Sequence, residues 1–306
     1  RWPTFSKKVW GKGRKLFRER TSKTLSNSDY LPLARLTQDR DGPDLSLDFC
    51  ELLGWIFTDG CYNKSQATGV WLYQSKDAKP QHYQRLKELV DRLGFPYRED
   101  VCNPNNIKGH SCRRFSIGGE VSKQIRALVP SRKEVPFEFI SSLSNAQLER
   151  VLAGMLLGDG THYANGERRL GTSYRHVAAV VQMICTILGI TTSANRYAMP
   201  EKYATGEWFQ ITLKTKRFGT HASVICAAKD PEHYQGMVWC PTVASGYWIA
   251  RRGGKVHATG NSALLLLAQQ DDTRLALTVK YEAEAIEELF RQCLESVAAR
   301  YVVPRF

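Results

Sequence analysis

The chain has 306 residues, is 42% hydrophobic and carries a net charge of +13, with a pI near 9.4. That length is enough for two domains, each with its own core, and the sign of the charge calls for an acidic partner such as nucleic acid. No apolar run approaches the roughly 18 residues of a membrane span. The eight cysteines form no C-x-x-C pair, which speaks against a zinc or thioredoxin-like site, and scattered thiols without a leader give the expectation of a reducing, cytoplasmic setting.

Taken in order, residues 1 to 40 read as short strands broken by polar turns such as Thr21-Ser22-Lys23, and hold eleven Lys or Arg against three acids. Residues 52–60, LLGWIFTDG, then predict an apolar helix ending in Asp-Gly. A strand is predicted over Thr68–Ser75, followed by a helix with apolar positions at Leu86, Leu89, Val90 and Leu93. Strands near Tyr97–Cys102 and Arg113–Ile117 and a helix over Val121–Leu128 complete this half. Residues 152–160, LAGMLLGDG, repeat the first apolar helix at a spacing of 100 residues. A looser copy of the same order follows, with a helix over Val177–Leu188 and strands near Ala194–Tyr197 and Trp208–Leu213. Gly54 and Gly154 leave room for the two repeated helices to touch. Such contact would bring Asp59 and Asp159 together, where two carboxylates repel unless a cation lies between them, and hard oxygen ligands favour Mg²⁺.

The paired segments resemble the two motifs of LAGLIDADG homing endonucleases. The resemblance implies an αββαββα plan in each lobe, two curved sheets lying in the major groove of DNA, and Asp59 and Asp159 as catalytic metal ligands. It further implies a lysine in each half that orders the attacking water. Lys133, in SRKEVP ahead of the second motif, matches the first, and Lys214, with Lys216 as its neighbour, is the candidate for the second. Gln74, Arg113, Arg114, Arg168 and Arg169 fall in or near strand-like segments and are candidate DNA-binding residues.

Residues 238–262, VWCPTVASGYWIARRGGKVHATGNS, resemble the C-terminal splicing motifs of inteins, in the class started by an internal cysteine and marked by a Trp, Cys, Thr triplet. The resemblance implies Cys240 as nucleophile, Thr259 as the triplet threonine, and cyclisation of Asn261 with transfer to Ser262. Trp2 corresponds to the last residue of the N-terminal motif TxxH-x-W, so the chain is expected to begin inside an intein. Gly260 stands where many inteins carry a histidine, which leaves the proton donor unassigned; His257 is near but not in that position.

The expected fold is α+β: a two-lobed LAGLIDADG body over 41–225, with lobes of about 41–140 and 141–225, inserted in an all-β Hedgehog/intein splicing fold formed by 1–40 and 226–261. Residues 262–306, slightly acidic and helical in pattern, are then the C-extein, part of the host protein, and faintly resemble the helical segment of tailed-phage portal proteins. The expected protein is a monomer without membrane contact, in the cytoplasm of a prokaryotic or phage-infected cell, with DNA and the flanking host protein as partners. The alternatives are a free-standing LAGLIDADG endonuclease without splicing, or a catalytically inactive DNA- or RNA-binding relative.

Overall fold

The computed structural model describes residues 2–6, 17–20, 29–32, 40–63, 69–102, 112–131, 134–198, 206–214, 221–223, 235, 241, 243, 247–252 and 254–260. The chain divides into two compact units, one formed by residues 2–227 with 249–258 and the other by residues 1, 228–248 and 259–306. Only a few residues of the second unit are described. The architecture below is that of the first.

Three short strands open the chain, β1 (Trp2–Ser6), β2 (Phe17–Arg20) and β3 (Asp29–Pro32). The first repeated helix, α1 (Leu47–Asp59), starts where the Ser46 hydroxyl accepts the Phe49 amide at 3.2 Å, a side-chain cap for one of the unsatisfied first-turn donors. Every residue from Phe49 to Thr58 is buried, so this helix is covered on all sides and belongs at the centre. It runs directly into β4 (Gly60–Tyr62), then β5 (Val70–Ser75), α2 (Pro80–Leu93), β6 (Tyr97–Cys102), β7 (Cys112–Ile117) and α3 (Gly119–Leu128). Pro80 in the first turn and Gly94 in a left-handed conformation punctuate α2 at its two ends. A short helix, α4 (Phe137–Ser142), links the halves.

The second half begins with α5 (Asn145–Asp159), whose start carries a capping box: Ser144 accepts the Gln147 amide and the Gln147 side chain accepts from the Ser144 amide. It continues as β8 (Gly160–His162), β9 (Arg168–Thr172), α6 (Arg175–Ile187), β10 (Thr192–Ala198) and β11 (Glu207–Leu213). Both halves build a four-stranded antiparallel sheet with one strand order, β4-β5-β7-β6 and β8-β9-β11-β10. The first half thus follows the αββαββα plan throughout, and the second follows it through its sixth element. The brief strands β4 and β8, and α4, are not legible as periodic segments.

Helices α1 and α5 pack in parallel and in contact along their backbones. A Cβ on Gly54 would lie 2.1 Å from the Val151 carbonyl oxygen, and one on Gly154 would lie 2.2 Å from that of Glu51. The reciprocity of these contacts defines a local two-fold axis between the halves, and the absence of side chains there is what permits the approach. Gln147 ties the turn before α1 to the start of α5 by donating to the carbonyls of Pro43 and Leu45 at 2.7 and 2.9 Å. Glu51, 1% exposed, sits in this seam and is held by a two-pronged bond from Arg85 at 2.8 and 2.6 Å, with Arg150 of α5 at 3.5 Å.

The strand β12 (His221–Ser223) does not join the second lobe's sheet, which ends at Leu213. It pairs antiparallel with β3, giving the order β12-β3-β1-β2. A two-stranded ribbon, β13 (Tyr247–Arg252) and β14 (Lys255–Gly260), follows. Its turn docks on the second lobe: the Gly254 carbonyl accepts from the fully buried Gln182 amide at 2.7 Å and from the Ala194 amide at 3.2 Å. Arg251 Nε donates to Gln182 Oε1 at 2.5 Å.

Candidate metal centre and nucleic-acid interface

Because α1 and α5 run in parallel, the carboxylates that close them, Asp59 and Asp159, emerge at the same end of the pair. The Asp59 Oδ2 atom lies 3.2 Å from where a Gly158 Cβ would stand, one residue from Asp159. Asp59 is half-buried and Asp159 exposed. Gln74, near the end of β5, donates from Nε2 to Asp59 Oδ2 at 3.3 Å, while its own Oε1 accepts the Ser75 amide at 3.0 Å. Its burial, 5% exposed, places Gln74 beneath the carboxylate and not on the sheet's open side.

Lys79, just ahead of α2, reaches across from the first lobe and donates to the Gly158 carbonyl at 3.1 Å. Beside it, burial pushes the His82 imidazole below its ordinary value; the Lys79 charge adds to this and a hydrogen bond with the Leu157 carbonyl opposes it. Lysine and histidine therefore both hold the last carbonyls of α5, the negative end of its dipole. Sequence reading missed Lys79 and His82 because their partner is main chain, which no motif marks.

Lys133 lies outside the described residues. Lys214 follows β11 and is exposed, with its amide on the Thr191 carbonyl. Strand register pairs Gly160, next to Asp159, with Leu170, and Leu213, next to Lys214, with Arg168.

Strand alternation sorts the candidate DNA contacts. In the first sheet Val70, Leu72, Phe115 and Ile117 are buried against the helices, which leaves Trp71, Tyr73, Arg114 and Ser116 on the opposite, open face. Arg114 is posed there: its guanidinium lies 4.8 Å from the Trp71 ring centre and bonds Asp100 Oδ2 at 2.9 Å. That bond raises the Arg114 value and depresses Asp100. Arg113 has the opposite parity, 3.8 Å from Glu99. In the second sheet Arg169 shares the open face with Trp208, Gln210 and Asn195, whereas Arg168 shares the parity of buried Leu170. Arg169 stacks 4.5 Å over the Tyr163 ring and bonds Glu167 at 2.7 Å. Gly171 leaves space for the Trp208 indole, whose nearest carbon would be 2.1 Å from a Cβ. Of the five candidates from sequence, Arg114 and Arg169 occupy open faces, while Gln74, Arg113 and Arg168 point to the helix side of their sheets.

Among the described residues no group of three His, Cys, Asp or Glu side chains is placed to hold a metal ion. Two carboxylates at one helix seam fit a hard cation that keeps much of its shell as water and phosphate oxygen, which is the habit of Mg²⁺. No helix among the described residues is long and apolar enough to cross a membrane. Trp2 opens β1 opposite Arg20, and Thr259 lies in β14. Cys240, Asn261, Ser262, Lys216 and residues 262–306 lie outside the described residues.

No family model matches the chain, and no curated protein matches it. Among solved structures, the mesophilic variants of the homing endonuclease I-DmoI are similar at 12% identity and a TM-score of 0.39, covering 57% of this chain and 92% of that one. I-DmoI in complex with DNA and Ca is similar at 12% identity and a TM-score of 0.38, covering 55% and 83%. The N-terminal LAGLIDADG domain of DUF199/WhiA is similar at 16% identity and a TM-score of 0.37, covering 57% and 79%. At these scores the likeness supports no assignment of activity, which rests on the chain's own geometry.

Proposed function

We propose that this chain is a site-specific double-strand DNA endonuclease of the LAGLIDADG type. The observation that carries the reading is the parallel, glycine-seamed helix pair that delivers Asp59 and Asp159 to one end, in a molecule whose halves repeat one sheet topology. In this reading Asp59 and Asp159 hold divalent cations, and Gln74 fixes the orientation of Asp59. When bound, such a cation lowers the pKa of its water and neutralises charge at the scissile phosphate. Lys79 and His82 hold the backbone next to Asp159, and Arg114 and Arg169, posed over Tyr and Trp rings, read base edges from the open faces, Arg to guanine being the favoured pairing.

The finer part of the reading, that the nuclease is inserted in an intein, rests on the sequence motif with Trp2, Cys240, Thr259, Asn261 and Ser262. The pairing of β12 with β3 supports it, since a strand near the end of the expected 41–225 body shares one sheet with residues ahead of that body.

The nuclease is tested by selecting a cleaved site from a randomised duplex library with Mg²⁺, then assaying that site with Asp59→Asn and Asp159→Asn. The expected result is loss of cleavage with DNA binding retained; cleavage surviving in both variants overturns the assignment. Splicing is tested separately by expressing the chain from its full coding frame and looking by mass spectrometry for ligated extein, which Cys240→Ala should abolish.

A further inference from the structure

The described residues include two thiols that none of the chemistry above uses and that face each other directly. Cys102 ends β6, the edge strand of the first lobe's sheet, and Cys112 begins β7; they are register partners across that antiparallel pair. Directly opposed residues on antiparallel strands have Cα atoms about 4.5 to 5.5 Å apart, inside the roughly 4.4 to 6.8 Å that a disulfide spans. The Cys112 Sγ donates to the Arg113 carbonyl at 3.9 Å. Both are half-buried, both are reduced, and they sit on the open face, in the row that carries Ser75.

We propose that Cys102 and Cys112 form a redox-modification site, at which a small-molecule disulfide converts the dithiol to a cross-strand disulfide on the face that the nuclease reading assigns to DNA. One thiol loses its proton to solvent, and its sulfur attacks the small disulfide, forming a mixed disulfide and expelling one thiolate. The second thiol, deprotonated in turn, attacks the protein sulfur of that mixed bond and expels the other thiolate. Two protein thiols lose two electrons, and one small disulfide gains them to become two thiols. Burial holds both thiols above their ordinary values, and the Arg114 guanidinium opposes this at Cys102. Cys61 shares the face but lies across from Trp71, three strands from Cys102, and is not the resolving partner.

The consequence is a sheet whose edge strand is covalently tied at one end, beside Arg114 and Asp100. Only this last point rests on the nuclease reading. The test uses the full chain in buffers of oxidised and reduced glutathione stepped from about −320 to −180 mV, a range that brackets cellular poises. Thiols are trapped with an alkylating reagent and peptides mapped by mass spectrometry. The expected result is one bridge, Cys102–Cys112, with its oxidised-to-reduced ratio changing tenfold for about every 30 mV. The bridge should vanish in Cys102→Ser and in Cys112→Ser and persist in Cys61→Ser. Failure of the 102–112 bridge to form in that window overturns the proposal, as does its appearance only in urea or in mixture with other pairings. A duplex-binding titration of the two redox forms is a separate arm: a bridge that forms with unchanged DNA affinity upholds the redox site and removes its effect on DNA. Absence of DNA binding in both forms counts against the nuclease reading alone.

Discussion

At the residue scale, the chemistry turns on how few groups the protein supplies and how firmly it holds them. Asp59 is oriented by Gln74, a buried amide with its other end already committed to the Ser75 backbone. Groups that orient a metal ligand typically cost 10- to 100-fold in activity or metal affinity when removed. Gln74→Ala is therefore expected to slow cleavage by about that factor and to raise the Mg²⁺ concentration needed for half-maximal rate, while leaving duplex affinity nearly unchanged; a variant as fast as the parent at limiting Mg²⁺ would remove Gln74 from the site. The two aspartates were legible in the sequence because the apolar helix ending in Asp-Gly repeats. Gln74 was legible only as a strand residue, and its role depends on parity: one position in either direction would have put it on the open face.

His82 allows a pH test at the same scale. Its folded value lies below the ordinary 6.5, so the unfolded chain takes up the proton more readily. Stability from this group is complete above about pH 6.5 and falls as the pH drops below it toward the folded value. The parent is expected to lose more stability between pH 7.5 and 5.5 than His82→Gln does, measured as the difference in urea midpoints. Equal losses in the two proteins would mean that the histidine carries none of the pH dependence.

At the scale of elements, the α1–α5 seam is the part on which the site depends most. The oxygen atoms that a Cβ at Gly54 or Gly154 would meet belong to backbone, so neither helix can yield by turning a side chain. Overpacking of this kind costs about 1 to 3 kcal/mol, and at roughly 2 to 4 °C per kcal/mol in a domain of this size each Gly→Ala change is expected to lower Tm measurably. Cleavage should fall further than duplex binding, because a widened seam separates the carboxylates while each sheet stays whole. The double variant should cost less than the sum of the singles, since both substitutions push on one contact. A calorimetric Tm unchanged by either single substitution would contradict the described seam.

The long elements were readable because they bury a continuous stripe or alternate regularly, and their observed ends differ from expectation by up to seven residues. Helices α1 and α5 extend to capping residues, Ser46 and Ser144, that precede the motif. The strands β4 and β8 have three residues each and no alternation to detect, yet they set the register that levels Gly60 with Leu72 and Gly160 with Leu170, right after the two aspartates. Pairings between distant segments, β12 with β3 and the ribbon turn on Gln182, have no local signature at all.

At the scale of the whole molecule, positive charge is the most general argument for DNA, and the structure refines it. Residues 262–306 hold five Lys or Arg against seven acids, so the part before them carries +15 and the whole chain +13. Much of the cationic surface is nonetheless engaged internally: Arg114 and Arg98 both bond Asp100, and Arg169 bonds Glu167. A carboxylate on a reading arginine has two effects. It poses the guanidinium for bidentate contact with a base edge, and it weakens the pull of that arginine on any phosphate, which favours sequence reading over indiscriminate attraction.

Asp100 is therefore the place to test the balance. With six to ten phosphate contacts, affinity should fall by about 10³ to 10⁵ between 50 and 200 mM salt. Asp100→Asn keeps the shape of the side chain and removes its charge, which releases Arg114 from over the Trp71 ring and frees it for phosphate. The variant should bind random duplex more tightly at low salt and bind the selected site with less preference over random sequence. Its log–log salt dependence should steepen by about 0.9, the value of one additional phosphate contact. Fluorescence anisotropy across the salt range measures all three. A variant whose slope and preference both match the parent would show that Arg114 is already committed to phosphate or lies off the DNA, and that the open face of the first sheet does not read sequence through it.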